Sequence, residues 1–313
     1  MAVDEQAATE RSVTVIIPST ARRERVPLLR RAIASVRDQQ GIRAIPLVVL
    51  NGAHRTAEVE AELRADSQVQ LVVLAEGSLA GALNAGRTCV KTRWFGTLDD
   101  DDVLLPSALA TRVRALEEHP EMDVVVTNGI TRIKGEDSLH MSPMLDIGSD
   151  PLRVLMKRNW LLPGSWLARS DRVGVTFFEG MPRYRECTYI AIRFAAEYKM
   201  MWLAEPTMIW NAESPFSESR SRAYLLGQVE AIQALMALDI PPHFRRYLRW
   251  QIAAASHQSA DLLWSEGSVE NAWRLHWQSL LGYWGVRYIP FTRFLVMASL
   301  RKMFSRVAVG DSL

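Results

Sequence analysis

The sequence predicts an α/β fold built on a doubly wound, mostly parallel sheet, followed by a helical C-terminal extension. Three observations carry that expectation. Short apolar, β-branched runs alternate with segments of helical periodicity through residues 13–126. Four consecutive carboxylates, Asp99 to Asp102, follow one of those runs, at the place where open α/β sheets hold their ligands. From Ala223 onward the spacing of apolar residues is helical throughout.

Val13-Thr14-Val15-Ile16-Ile17 is β-branched at every position and stops at Pro18, which reads as a buried strand. Leu28, Leu29, Ala32, Ile33 and Val36 then recur at helical spacing, with Pro27 suited to the first turn. Leu47 to Leu50 forms a second strand, ended by the turn pair Asn51-Gly52. A short helix is expected over Thr56 to Ala65, a strand over Val69 to Leu74, and a helix over Ala80 to Val90 capped by Ser78. Trp94 to Leu98 is the strand that delivers the acidic run. A helix over Ser107 to Glu118 and a strand over Val124 to Val126 complete the alternation. Beyond a Gly-rich turn, Tyr198 to Trp202 and Pro206 to Trp210 read as two closing strands.

Composition narrows the class. A chain of 313 residues, 48% hydrophobic, can bury a sizeable core in one large or two unequal domains. Its 37 basic and 35 acidic residues nearly cancel, which gives no case for a nucleic-acid partner. The two cysteines, Cys89 and Cys187, have neither zinc-ligand spacing nor a disulfide framework, and a reducing cytoplasm is their natural setting. Residues 1–11 are polar and acidic rather than a signal sequence. No stretch offers the roughly 18 uninterrupted apolar residues of a membrane span. The nearest, Ile289 to Phe304, is broken by Arg293, Arg301 and Lys302.

Asp99 to Asp102 can be a solvated turn before a helix, since acidic side chains suit helix N-termini. Side by side, however, four like charges repel, and an oxygen-rich carboxylate site suits Mg²⁺ or Mn²⁺. The loop after the first strand, Pro18 to Arg25, carries Arg22, Arg23 and Arg25, whose guanidinium groups suit phosphate oxygens. Neither a Gly-x-Gly-x-x-Gly turn nor a Walker lysine follows that strand, which disfavours the two commonest nucleotide folds.

Taken together, Ser12 to Thr20, Leu28 to Val36 with Gln39, Ala82-Leu83-Asn84-Ala85-Gly86, and Trp94 to Asp102 with Pro106 resemble the GT-A glycosyltransferases of family 2. The resemblance extends to about Asn211. It implies a nucleotide-diphosphate sugar donor, contacted by Pro18, Ser19, Thr20, Arg22 and Asp100, and on its ribose side by Asp99. It implies Asp101 as the ligand of a Mn or Mg divalent cation, although Asp100 with Asp102 has the same spacing as Asp99 with Asp101. Asn51 stands where the family often has a base-binding Asp, and an amide can still accept and donate. Asn84 belongs to the donor set, and Leu83 replaces a usual Arg there, for which Arg87 or a first-loop arginine is a substitute. Arg220, after the last strand, is placed to fold back on the diphosphate.

On the acceptor side, Glu186 and Arg193 match the family's Glu and helix Arg, while Cys187 replaces the Asp that often serves as base. A thiol with a pKa near 8.5 is mostly protonated at neutral pH and is a poor oxygen-base substitute. Glu186 is therefore the expected base and Glu179 the reserve. Of Trp160, Trp166, Trp202 and Trp210, at least two are expected in the core rather than on a sugar face.

The expected organisation is a tail over residues 1–11, a GT-A domain over 12–215 and a helical region over 216–313. Within the GT-A domain, residues 12–128 form the nucleotide-sugar half and 129–215 the acceptor half. Helices are expected from Ala223, over Phe244 to Trp264, over Val269 to Leu281, and over Pro290 to Val309. The last is basic and amphipathic, which suits a homodimer contact or peripheral contact with the inner face of a cell membrane. The reading is an inverting, metal-dependent cytoplasmic transferase that passes a sugar to a hydroxyl on a saccharide or lipid-linked acceptor. Cell-surface polysaccharide or glycoconjugate synthesis would use such an enzyme. A sugar nucleotidyltransferase and a catalytically inactive nucleotide-binding scaffold are the alternatives.

Overall fold

The computed structural model describes residues 12–53, 55–213 and 221–300. The chain divides into two compact units, Met1–Phe216 and Ser217–Leu313. The polar tail over residues 1–11 lies outside the described residues.

The first unit carries strands β1 (Ser12–Ser19), β2 (Arg43–Asn51), β3 (Gln70–Leu74), β4 (Trp94–Thr97), β5 (Val103–Leu104), β6 (Val124–Ile133), β7 (Glu136–Leu139), β8 (Trp166–Arg169) and β9 (Met200–Asn211). They form one sheet in the order β3-β2-β1-β4-β8-β6-β9-β5, with β7 added to β6. The pairs among β3, β2, β1 and β4 are parallel, as is β6 with β9, while β8 runs antiparallel to both β4 and β6. The helices are α1 (Val26–Arg37), α2 (Ala57–Ala65), α3 (Leu79–Cys89), α4 (Ala108–Glu118), α5 (Pro151–Leu155) and α6 (Glu186–Glu197).

All eight residues of β1 are buried, as expected of a β-branched strand with a parallel partner on each side. Helix α1 buries Val26, Leu29, Ala32, Ile33 and Val36, the residues whose spacing announced it. The Ser78 hydroxyl accepts from the Gly81 N–H and caps α3. At Gly86 a Cβ would lie 2.5 Å from Ile16 Cγ2, so only glycine lets α3 lie this close to β1. Trp160 and Trp166 are fully buried, whereas Trp202 and Trp210 are half-buried.

The closing segment departs from the sequence pattern. One strand, β9, replaces the two expected from Tyr198 to Trp202 and Pro206 to Trp210. Its register against β6 shifts where Thr127 pairs with Leu203 and Asn128 with Pro206, so Ala204 and Glu205 bulge out exposed. A bulge absorbs the residues that break the alternation while the strand continues. Strand β5, only two residues long, pairs antiparallel with β9 through Val103 with Ile209 and Leu104 with Met208.

Arg112 in α4 is buried and has no carboxylate partner among the described residues. It donates to the carbonyls of Gly164 at 2.6 Å and Trp166 at 3.2 Å, and to Thr207 Oγ1 at 2.5 Å. Burial brings its pKa down to about 9, still above neutral, so the cation persists. It ties the turn before β8 to β9, and the Thr97 hydroxyl holds the same turn through the Pro163 carbonyl at 2.5 Å.

The second unit consists of α7 (Arg222–Leu235), α8 (Pro242–Ser265), α9 (Val269–Leu281), a 3₁₀ segment (Gly285–Phe291) and α10 (292–300). The basic helix expected over Pro290 to Val309 is thus preceded by 3₁₀ backbone through Phe291, and its residues 301–309 lie outside the described residues. Ala260, Leu263, Ala272, Phe291 and Leu295 form the small core, with Trp264 and Trp273 packed against it.

Three histidines make stability pH-dependent. Burial first of all lowers the pKa of His140, His257 and His276 below the ordinary 6.5. The fold therefore favours neutral rings. Their contribution is complete above the unfolded value of 6.5 and is lost as pH falls through the lower folded values, because the unfolded chain binds protons first. The midpoint of thermal unfolding, followed by circular dichroism, should drop between about pH 7 and about pH 5.5.

Candidate active site

The acidic run forms the turn between β4 and β5, closed by the Asp102 N–H donating to the Asp99 carbonyl at 3.1 Å. Two other parts of the first unit pin it. From the loop after β1, Ser19 Oγ donates to Asp100, and Arg25 donates to the same carboxylate through Nη2 and through Nε at 3.1 Å. Arg25 Nη2 also lies 3.2 Å from Asp101 Oδ2. From the end of β9, the Asn211 side chain donates to the Asp101 carbonyl at 2.6 Å and the Asn211 backbone N–H to Asp102 Oδ1 at 2.9 Å. Arg31 Nη2 reaches the Asp101 carbonyl at 2.8 Å.

Charge is distributed unevenly over the four carboxylates. Burial by itself would lower the Arg25 pKa, but hydrogen bonds and charge contacts with Asp100 and Asp101 raise it above its ordinary value. Asp100 is thereby neutralised by a cation of the protein. Asp101 shares that cation at 3.2 Å, while Asp99 and Asp102 have no ion pair among the described residues. Burial above all, then Asp101, Asp100 and Glu186, pushes Asp99 up to about 8. Burial followed by Asp99 and Asp101 raises Asp102 well above the carboxylate range.

One carboxylate oxygen from each of Asp99, Asp101 and Asp102 lies within 4.8 Å of the others. Asp102 Oδ2 is buried with no hydrogen-bond partner among the described residues. Clustered oxygens, an orphaned carboxylate atom and a carboxyl held protonated at neutral pH are what a bound divalent cation would relieve. The residues fit a Mg²⁺ or Mn²⁺ ion.

Around this cluster the other sequence candidates fall into groups. Ser19 Oγ, besides its bond to Asp100, accepts from the Ala21 N–H at 3.0 Å, so it organises the loop that Pro18 and Thr20 share. Buried Asn51, at the end of β2, donates its amide to the Ser19 carbonyl at 3.2 Å. That donation fixes the amide orientation and leaves Oδ1 as the acceptor. Arg22 lines a cleft of about 510 Å³ with Arg23, Glu24, Arg55 and Thr56. A second cleft, of about 300 Å³, is lined by Asp101, Arg31, Arg132, Lys134, Asn211 and Glu213 among others. Asn84 donates to the Phe178 carbonyl at 3.4 Å, and its Oδ1 is buried without a partner among the described residues. Arg220 lies outside the described residues.

Two arginines have structural work instead. Arg87 is buried, with its guanidinium over the Phe95 ring, and donates to the carbonyls of Ser170 and Val173. It cannot replace the missing phosphate contact at Leu83. Arg193 pairs with Glu197 one helical turn on and donates to the Phe177 carbonyl at 2.5 Å.

Glu186 opens α6 and accepts from the Tyr184 N–H at 2.8 Å. Tyr184 and Arg185 both take left-handed backbone angles, φ 70° and 60°, which is costly for non-glycine residues and commonest at functional sites. The Glu186 carboxylate lies close enough to help raise the pKa of Asp99. Burial above all, then Asp99, Glu186 and Asp102, raises the Cys187 thiol well above its ordinary value, so it stays neutral and is no base. Glu179 is exposed; its N–H donates to the Thr176 carbonyl at 3.0 Å and its carbonyl accepts from Tyr189 Oη at 2.6 Å. Arg25 and Asn211 were not legible as site residues. Arg25 is one of three similar loop arginines, and Asn211 reaches the acidic turn only because β9 ends there.

A curled α/β sheet with an acidic, cation-fitting turn at its ligand edge defines a GT-A type glycosyltransferase. The chain belongs to glycosyl transferase family 2, whose family model matches residues 14–173. By sequence, no curated protein matches it. Among solved structures it is similar to S. aureus TarS 1–349, with TM-score 0.52 and 11% identity over 82% of this chain and 74% of that one. The same protein in complex with UDP-GlcNAc gives TM-score 0.54 at 11% identity over 79% and 72%. A longer TarS structure gives 0.54 at 11% identity, covering 93% of this chain and 53% of that one. At 11% identity the likeness is one of fold.

Proposed function

We propose that the chain is an inverting, metal-dependent transferase that moves a sugar from a nucleotide-diphosphate donor to a hydroxyl acceptor. The acceptor is a hydroxyl-bearing saccharide or a lipid-linked acceptor, as in cell-surface polysaccharide or glycoconjugate synthesis. The observation that carries this reading is the cluster of Asp99, Asp101 and Asp102 in the turn after β4, with Glu186 near enough to help raise the Asp99 pKa.

The arginine-lined cleft of Arg22, Arg23 and Arg55 suits the donor's phosphates or ribose, and Asn51 offers its Oδ1 to a base N–H. Asp101, with Asp99 and Asp102, would hold the cation, which as a Lewis acid supplies charge stabilisation for the departing diphosphate. Arg25 keeps Asp100 neutralised and the first loop in place. Glu186 accepts the proton of the acceptor hydroxyl. The freed oxygen bonds to the anomeric carbon from the face opposite the leaving group. The bond from that carbon to the diphosphate breaks, and its electron pair leaves with the nucleoside diphosphate.

The test is release of nucleoside diphosphate from a panel of sugar nucleotides, starting with UDP-sugars because a structural neighbour is seen with UDP-GlcNAc. Release in Mn²⁺ or Mg²⁺, with the product's anomeric configuration inverted by NMR, is expected. Pyrophosphate formed from a nucleoside triphosphate and a sugar phosphate would instead mark a nucleotidyltransferase. Tight nucleotide binding without turnover on any donor would mark a scaffold.

A further inference from the structure

The second unit has an apolar face that its own core does not use. Of the large hydrophobic side chains left exposed among the described residues, ten of fifteen lie between Trp277 and Leu300. On α9, Trp273, Trp277 and Leu281 follow one another at four-residue spacing on one helix face, with the two indoles stacked 6.0 Å apart. Trp277 is 55% and Leu281 86% exposed. The following turn carries Trp284, 65% exposed, and beyond it Val286 and Ile289 are more exposed than buried.

The face is a built one. Trp273 Nε1 donates to Ser299 Oγ at 2.9 Å, and His276 Nε2 and Thr292 Oγ1 hydrogen-bond at 2.8 Å, so α10 is fastened beside α9. Helix α10 turns Leu295 into the core and leaves Met297 and Leu300 outside. Trp284 has φ 62°, a backbone state that favours glycine, yet the residue there is the largest apolar side chain and it points to solvent.

Charge says what covers this face. From Asn271 to Gly310 the sequence has six basic residues, Arg274, Arg287, Arg293, Arg301, Lys302 and Arg306, and no acidic one. Arg274, Arg287 and Arg293 are exposed within the described residues, and the other three belong to the sequence beyond them. A second copy docking through the same patch would set these cations against themselves, which a two-fold contact makes unfavourable. An anionic bilayer offers the opposite charge and an interface that accepts tryptophan rings and short aliphatic side chains. Among the described residues no helix is long and apolar enough to cross a membrane, so the contact would be peripheral.

We infer that the face formed by the end of α9, the Gly282–Gly285 turn and α10 docks on an anionic lipid bilayer, with Trp277, Leu281 and Trp284 entering the interface. The inference stands apart from the transferase reading, because the binding it describes needs neither donor nor turnover.

Flotation of the full chain at low salt tests it, with vesicles of phosphatidylcholine alone and of phosphatidylcholine mixed with phosphatidylglycerol. The protein should float with the mixed vesicles, much less with phosphatidylcholine, and less with the mixed vesicles as salt rises. The double variant Trp277→Ser/Trp284→Ser should lose about tenfold or more in partitioning, since binding scales with the apolar area buried. Trp284→Gly separates docking from folding: relief of the left-handed backbone should hold or raise the unfolding midpoint while vesicle binding falls. The inference is overturned if the full chain ignores both vesicles, binds both equally, or binds unchanged after the double substitution. It is also overturned if light scattering shows a dimer that the double substitution splits without vesicles, which would make a second copy the occupant.

Discussion

Asp101→Ala should lower kcat/KM by about 10³-fold, because a bound Lewis acid contributes several kcal/mol and each ~1.4 kcal/mol is a factor of ten. The same variant has a readout that needs no turnover. Calorimetry of nucleoside diphosphate binding to the unsubstituted chain should give tighter binding with Mn²⁺ than in EDTA, and Asp101→Ala should erase that difference. Asp100→Asn is the informative contrast. Its carboxylate is held by Arg25 and Ser19, so its loss should loosen the first loop and act mainly on donor affinity. If EDTA leaves binding and turnover untouched, the cation reading fails and Arg25 becomes the cation that serves the diphosphate.

Glu186→Gln should lower kcat by roughly 10²-fold or more while leaving donor affinity nearly unchanged, the signature of a lost general base. The amide can still accept from the Tyr184 N–H, so the start of α6 should keep its shape. Glu179→Gln, on an exposed side chain, should behave as the unsubstituted enzyme. Three other carboxylates of the acceptor half have other positions: Glu197 pairs with Arg193, Glu213 accepts from the Lys134 N–H at 2.9 Å, and Glu205 sits exposed on the β9 bulge. Near-normal kcat in Glu186→Gln with a large loss in Glu179→Gln would move the assignment to Glu179.

The parallel half of the sheet was legible in the sequence for a simple physical reason. Val13 to Ile17, Leu47 to Leu50 and Val69 to Leu74 are predominantly apolar runs, interrupted only by Thr14 and Gln70, and each lies within or against a strand of that half. Local signals also held where the interaction itself is local. Ser78 caps α3 from three residues away, and Val269 and Leu281 bound α9 as their spacing implies. The acidic run announced its chemistry because four adjacent carboxylates are costly without a cation, wherever the chain takes them.

What only the tertiary structure decided are the partnerships that cross long stretches of chain. Nothing near Arg25 distinguishes it from Arg22 and Arg23, yet it alone of the three pairs with Asp100, seventy-five residues on. Asn211 meets Asp101 and Asp102 because β9 ends beside β5, and β5 is too short to read in sequence. By type and position Arg87 reads as a substitute phosphate contact and Arg193 matches the family's helix Arg. Folding spends both on carbonyls of the segment between Ser170 and Phe177. A sequence records which side chains can neutralise a charge or satisfy a carbonyl. Which one does so is set by the distances that packing leaves between elements, and those are fixed only when the sheet closes.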